Sequence, residues 1–168
     1  PLKKHDTELQ VHSLIYEAGL PQKWLDQGKK FVVFFQDTNA LAMYAIPGTL
    51  GVSIREKLAM NTICIERHKG RQMGAIATVN GEVRNVEYNR LTEAPGYPGN
   101  TNCFICELED YAKTLVKTRG KVPEFINPKY TEYGFKPARL ECLMQDYRPS
   151  GKIGYVLLPQ WLCYSPVK

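Results

Sequence analysis

From residue 29 to 41 the chain reads KKFVVFFQDTNAL, an apolar run from Phe31 to Phe35 followed by Gln36, Asp37, Thr38 and Asn39. A run apolar on both faces and partly β-branched predicts a buried parallel strand over Lys30 to Phe35. The polar cluster behind it has two readings. Asp, Thr and Asn are good helix N-caps. The carboxyl end of a buried strand is also where open α/β sheets place their ligand-facing groups. Upstream, Val11, Leu14, Ile15 and Ala18 recur at helical spacing, and Pro21 starts a second short turn carrying Trp24 and Leu25. Downstream, residues 40 to 46 predict a helical run stopped by Pro47. LGVSIREKLA fits no single pattern, and residues 60 to 67 predict a strand. Two alternating runs flank Asn80-Gly81 within residues 75 to 91, the strongest short hairpin signal. NCFICELEDYAKTLVKT predicts an amphipathic helix ended near Gly120. EFINPKY, RLECLMQDY and KIGYVLLPQWLCY supply further β-rich pieces. Helices alternating with buried strands, with a hairpin inserted, predict an α/β fold with a mixed sheet.

Composition narrows the function classes. A chain of 168 residues suffices for one domain with a real core. The net charge of +5 suits an anionic ligand such as a phosphate or nucleotide and is too small to imply nucleic acid. Basic residues outnumber acidic ones between Lys113 and Arg139, which reads as a solvated face. The longest apolar runs fall short of the roughly 18 residues a membrane span needs. Five cysteines, an odd number in a chain large enough to need no staples, read as reduced thiols and a cytoplasmic setting. Cys103 and Cys106 form a C-x-x-C that lacks a second pair for zinc; their spacing fits one face of the predicted helix beside Phe104, Ile105 and Leu108, a core arrangement. The chain starts at PLKK, without Met or a signal-peptide pattern, and stops at YSPVK; both ends read as cut.

FFQDTNAL, AIPGTLGVS, NVEYNRL, YPGNTN, EFINPKY, RLECLMQDY and YSPVK, in this order, resemble the UDP-sugar pyrophosphorylases and their UDP-glucose and UDP-N-acetylglucosamine relatives. The resemblance implies a Rossmann-like nucleotidyltransferase domain with a mixed sheet flanked by helices, incomplete at both ends. Residues 1–168 would be part of a single catalytic domain, with the N-terminal phosphate-loop region and a C-terminal domain absent. The implied partners are UTP, a sugar 1-phosphate and the remainder of a parent polypeptide, with neither nucleic acid nor membrane, and the implied cofactor is Mg2+. The reaction gives a UDP-sugar and pyrophosphate. Residue by residue, Asp37 matches the family's metal-binding aspartate, and Lys168 in SPVK matches the lysine placed on phosphate. Glu87 and Tyr88 in NVEYN resemble the pair that reaches the sugar, and Asn100 in GNTN matches a sugar-contacting asparagine. Asn127 and Lys129 in INPK are candidate site-lining residues. The chemistry suits these residue types. Two anions must be held together against repulsion, magnesium prefers carboxylate and phosphate oxygens, and a carboxylate accepts hydroxyl hydrogen bonds.

Other readings accompany these. Asp37 could cap a helix, Glu87 could face water on a strand beside a packed Tyr88, and Asn100 could open a turn or cap the following helix. The family's Gly-rich phosphate loop has no counterpart in the first thirty residues, and Thr7 to Gln10 stand where its Gly-His-Gly-Asp phrase falls. RLTEAPGYPGN and KYTEYGFKPARL are shorter than the loops this family usually has there. The leading expectation is therefore a uridylyltransferase segment inactive alone. The alternative is a non-catalytic pyrophosphorylase-like module that binds a sugar phosphate or a partner protein.

Overall fold

A computed structural model describes residues 11–68, 70–87, 96–127, 130–131, 134–135 and 139–167. The first two helices, α1 (Val11–Glu17) and α2 (Leu20–Asp26), sit where helical spacing and Pro21 place them. Strand β1 (Phe31–Phe34) follows, then α3 (Ala42–Glu56) and β2 (Met60–Ile65). The hairpin comprises β3 (Ala75–Val79) and β4 (Glu82–Val86). Strand β5 (Gly99–Glu107) runs directly into α4 (Leu108–Thr118). Short strands β6 (Glu124–Asn127), β7 (Tyr130–Thr131), β8 (Gly134–Phe135) and β9 (Arg139–Cys142) lead to a 3-10 turn at Met144–Asp146. Strand β10 (Ile153–Leu157) and helix α5 (Gln160–Cys163) complete the described elements.

The main sheet has the order β10-β2-β5-β3-β4, with β1 pairing β5 beyond β3. It is mixed as expected: β10 lies parallel to β2, while β5 runs antiparallel to β1, β2 and β3. Strand β1 therefore departs from the expected parallel pairing. An apolar run reports that both faces are covered, and a strand inserted antiparallel between β1 and β2 satisfies that condition equally. The hairpin at Asn80-Gly81 is present, with φ of 52° and 81° at the two turn residues. Positive φ at both matches a type I′ turn, whose twist suits the flanking strands.

Two other expectations are corrected. Helix α3 continues through Pro47 instead of stopping there. Pro47 is exposed, so the carbonyl that loses its partner can be hydrated. On the inner side, Thr49 and Ser53 return hydroxyl bonds to the carbonyls four residues back. The second correction concerns CFIC, which is strand and not helix: α4 begins only at Leu108, where the Glu107 carboxylate accepts from the N–H groups of Glu109 and Asp110. Three residues apart in a strand, Cys103 and Cys106 belong to opposite faces.

Each face has its own core. Phe34, Met60, Phe104, Cys106, Leu108, Tyr111, Leu115 and Tyr147 pack beneath α1, α2 and α4. Ala42, Ala45, Ile63, Ile65, Met73, Cys103 and Cys163 pack on the α3 and α5 side. All five cysteines are free and buried. Burial pushes the Cys103 thiol up to about 12 and raises those of Cys64 and Cys106, so these thiols stay protonated and unreactive. Among the described residues no helix is long and apolar enough to cross a membrane.

His12 pins the first core together. Its Nε2–H donates to the Met144 carbonyl at 2.9 Å, which leaves Nδ1 to accept from the Tyr111 hydroxyl at 2.8 Å. Burial lowers its pKa from 6.5, outweighing the bond to Met144. The unfolded chain therefore takes up a proton before the folded one does. Stability holds above pH 6.5 and declines as pH falls from 6.5 toward the folded value. Urea unfolding at successive pH values should show this decline. His12→Gln should be less stable near neutrality by about 1–2 kcal/mol and should flatten the acid slope. Equal acid slopes in both proteins would contradict the assignment.

Candidate active site

Strand β5 carries an irregularity that shapes the site. Its register against β2 shifts between Ile63, opposite Cys103, and Cys64, opposite Asn100. Asn102 occupies the left-handed region at φ 57° and donates its backbone N–H to Asn100 Oδ1 at 2.8 Å, while the Thr101 hydroxyl holds the Ile63 carbonyl. Bulges of this kind re-aim side chains at sheet edges and sites. Asn100 thus lies inside β5, not in a turn or at a helix cap, and it is buried.

From Asn100 a chain of side-chain hydrogen bonds runs outward. Its Nδ2 donates to Asn85 Oδ1 at 2.8 Å. Asn85 Nδ2 donates at 3.2 Å to Glu87 Oε1 and at 3.2 Å to Asp146 Oδ1. Asn85 lies on β4 and Glu87 immediately beyond it, two positions apart and so on one face; Asp146 ends the 3-10 turn, whose neighbour Tyr147 is rooted in the core. These four residues line one cavity of about 500 Å3. Thr62, Arg84, Phe125, Gln145 and Arg148 also contribute to its wall. Arg84 is paired with Glu82, whose carboxyl it holds below the usual range. Gly74 sits against this chain: a Cβ there would lie 3.0 Å from Asn85 Oδ1 and 3.2 Å from Glu87 Oε1.

Asp37 lies elsewhere. It is exposed, on the loop after β1, and is not among the residues that line the cavity with Glu87 and Asn100. The capping reading does not hold either: α3 has Leu41 at its N-cap and no side-chain capping bond. Within the polar cluster, buried Asn39 is the structural member. It donates to the Cys163 carbonyl at 3.0 Å and accepts from the Ser165 N–H at 3.0 Å. The Val167 N–H reaches the Thr38 carbonyl at 2.9 Å, so YSPV is stitched to the loop that bears Asp37. Lys168, which follows, lies outside the described residues, as do Tyr88 and Lys129. Asn127 ends β6, opposite Arg139. Among the described residues no cluster of three His, Cys, Asp or Glu side chains could hold a metal on its own. A single exposed carboxylate still fits a magnesium ion whose other ligands are phosphate and water oxygens.

Sequence reasoning singled out Glu87 and Asn100 but missed Asn85 and Asp146. The signal for Asn85 was its position two residues before Glu87 on the same strand face. Asp146 carried no local signal, because only the tertiary fold brings it to β4. A second hollow of about 490 Å3, with Lys30, Lys57 and Lys152 around Phe31 and Leu58, lies where β1 and β10 begin and β5 ends.

Comparison with known proteins gives a consistent picture. UDP-sugar pyrophosphorylase of Arabidopsis thaliana is 42% identical over 188 aligned positions, covering 94% of this chain and 31% of that protein. The protein of the same name from Oryza sativa subsp. indica is 41% identical, with 94% and 30% covered. The chain spans about 30% of the length of these relatives. The aligned length of 188 exceeds the 168 residues here, so the relatives carry segments that this chain lacks. No protein-family model matches. Among solved structures, UDP-N-acetylglucosamine pyrophosphorylase of Trypanosoma brucei in complex with an inhibitor superposes with a TM-score of 0.72 at 18% identity, over 89% of this chain and 33% of that one. A mutant of UDP-glucose pyrophosphorylase from Leishmania major in complex with UDP-glucose gives 0.71 at 17% identity, over 94% and 39%.

Proposed function

Because this chain is homologous over 94% of its length to a segment of the UDP-sugar pyrophosphorylases, we propose that it forms the sugar side of a uridylyltransferase site. The observation that carries the reading is the hydrogen-bonded wall of Asn100, Asn85 and Glu87 in one cavity. It presents the Glu87 carboxylate, set in place by the Asn85 amide, with the Asn100 amide behind it, and a carboxylate of this kind reads sugar hydroxyls. In the whole enzyme, an oxygen of the sugar 1-phosphate attacks the α-phosphorus of UTP. The bond from that phosphorus to the bridging oxygen breaks, and pyrophosphate leaves with the electron pair. Glu87 accepts hydroxyl protons in hydrogen bonds, and Asn100 and Tyr88 orient the ring. Lys168 meets phosphate charge, and Asn127 and Lys129 line the approach. Asp37 would hold Mg2+, which when bound offsets the charge of the phosphates as they are drawn together.

The non-catalytic reading, a module that holds a sugar phosphate, draws on the exposure of Asp37 outside the cavity. One assay separates the two. A full-length protein carrying this segment, given UTP, glucose 1-phosphate and Mg2+, should release pyrophosphate and form UDP-glucose, and EDTA should stop it. Sugar phosphate binding without pyrophosphate release would leave only the binding module.

A further inference from the structure

The geometry points to Asp146 as a second hydroxyl-reading carboxylate of this site, held beside Glu87 by the side-chain amide of Asn85. The inference rests on the sugar-phosphate reading above and extends it to a residue that reading does not use. An amide nitrogen has two hydrogens, and Asn85 directs both at carboxylates, each at 3.2 Å. Its oxygen accepts from Asn100 at 2.8 Å. Asn85 is thus engaged by protein partners and acts as a positioning residue, while the two acids it holds face the same cavity.

Both carboxylates line the cavity, and each has acceptor lone pairs beyond the one that the Asn85 amide meets, so the arrangement favours a ligand that donates to both. A sugar ring does so, because its neighbouring hydroxyls present several donors along one edge. The platform is firm. The Asp146 N–H bonds the Leu143 carbonyl at 2.9 Å, and Gln145 and Tyr147 on either side are buried. Gly74 leaves open the space that Asn85 and Glu87 occupy. Two carboxylates reading different hydroxyls would let the site distinguish sugars that differ at a single carbon.

Calorimetric binding to the 168-residue chain tests this, using glucose 1-phosphate, galactose 1-phosphate and their monodeoxy analogues. Asp146→Asn should weaken the preferred parent sugar about tenfold, the size expected for one charge-assisted hydrogen bond. One deoxy analogue should bind the wild type about tenfold more weakly than its parent, yet bind Asp146→Asn no more weakly than the parent does. Asn85→Ala should lose this coupling while both carboxylates remain, and Asp146→Glu should restore part of it. A purely structural Asp146 would change the unfolding midpoint and leave every deoxy penalty intact, which would overturn the inference. If the wild type binds neither sugar phosphate, the sugar-site reading itself falls, and this inference falls with it.

Discussion

Replacing Asp37 by Asn in a full-length uridylyltransferase carrying this segment should lower turnover by about 10²–10³-fold, the usual scale for loss of electrostatic stabilisation at a transferring group. The substitution keeps the shape and removes the charge that a magnesium ion would meet. Asp37 is exposed and caps no helix, so stability should change by less than about 0.5 kcal/mol. The split between the two readouts is the point, because a structural aspartate would lose stability first. Raising magnesium should recover part of the lost rate if the residue binds the ion. Unchanged turnover at saturating magnesium would end the assignment and leave Asp37 as a solvated loop acid.

Gly120→Ala should cost about 3–4 kcal/mol, because the added carbon meets backbone and not a flexible side chain. Gly120 has φ 71° and follows Arg119, itself left-handed at 55°, at the end of α4. A Cβ at this position would overlap the His12 carbonyl and lie 2.5 Å from the Ser13 Cα. These are backbone atoms of α1 and cannot turn aside. Displacing α1 would also strain the bonds from His12 to Tyr111 and Met144. Gly28→Ala serves as the control: its φ is 77°, but nothing lies within 4 Å of the added carbon. It should cost only the conformational penalty of about 1–2 kcal/mol. Denaturant unfolding of both variants separates strain from clash, and equal costs would show that α1 yields freely.

What could be read from the sequence followed the range of the interactions involved. Asn80-Gly81 specifies its own turn, because the two left-handed positions are a local property; the hairpin emerged as expected. The two N-terminal helices carry their periodicity and Pro21 in plain view. CFIC misled because Leu108 to Thr118 is amphipathic and the buried strand before it adds apolar residues without a break; only the Glu107 cap marks the boundary. The orientation of β1 was hidden because pairing partners leave no mark on a strand buried on both faces. Pro47 reads as a stop because local sequence does not place it on the exposed side of α3, where the freed carbonyl meets water. In the site, Glu87 and Asn100 stood out through the resemblance. Asn85 and Asp146 are joined across 61 positions by one hydrogen bond, which spacing cannot reveal.

The measurement that bears most directly on the account is a titration of the isotope-labelled chain with glucose 1-phosphate, followed through its side-chain amide and backbone resonances. The Asn85 and Asn100 side-chain amides and the Glu87 backbone should shift together and saturate at one common affinity, because one cavity wall carries all three. Shifts confined to the hollow of Lys30, Lys57 and Lys152, or no saturable shift at all, would contradict the placement of a sugar phosphate in this cavity.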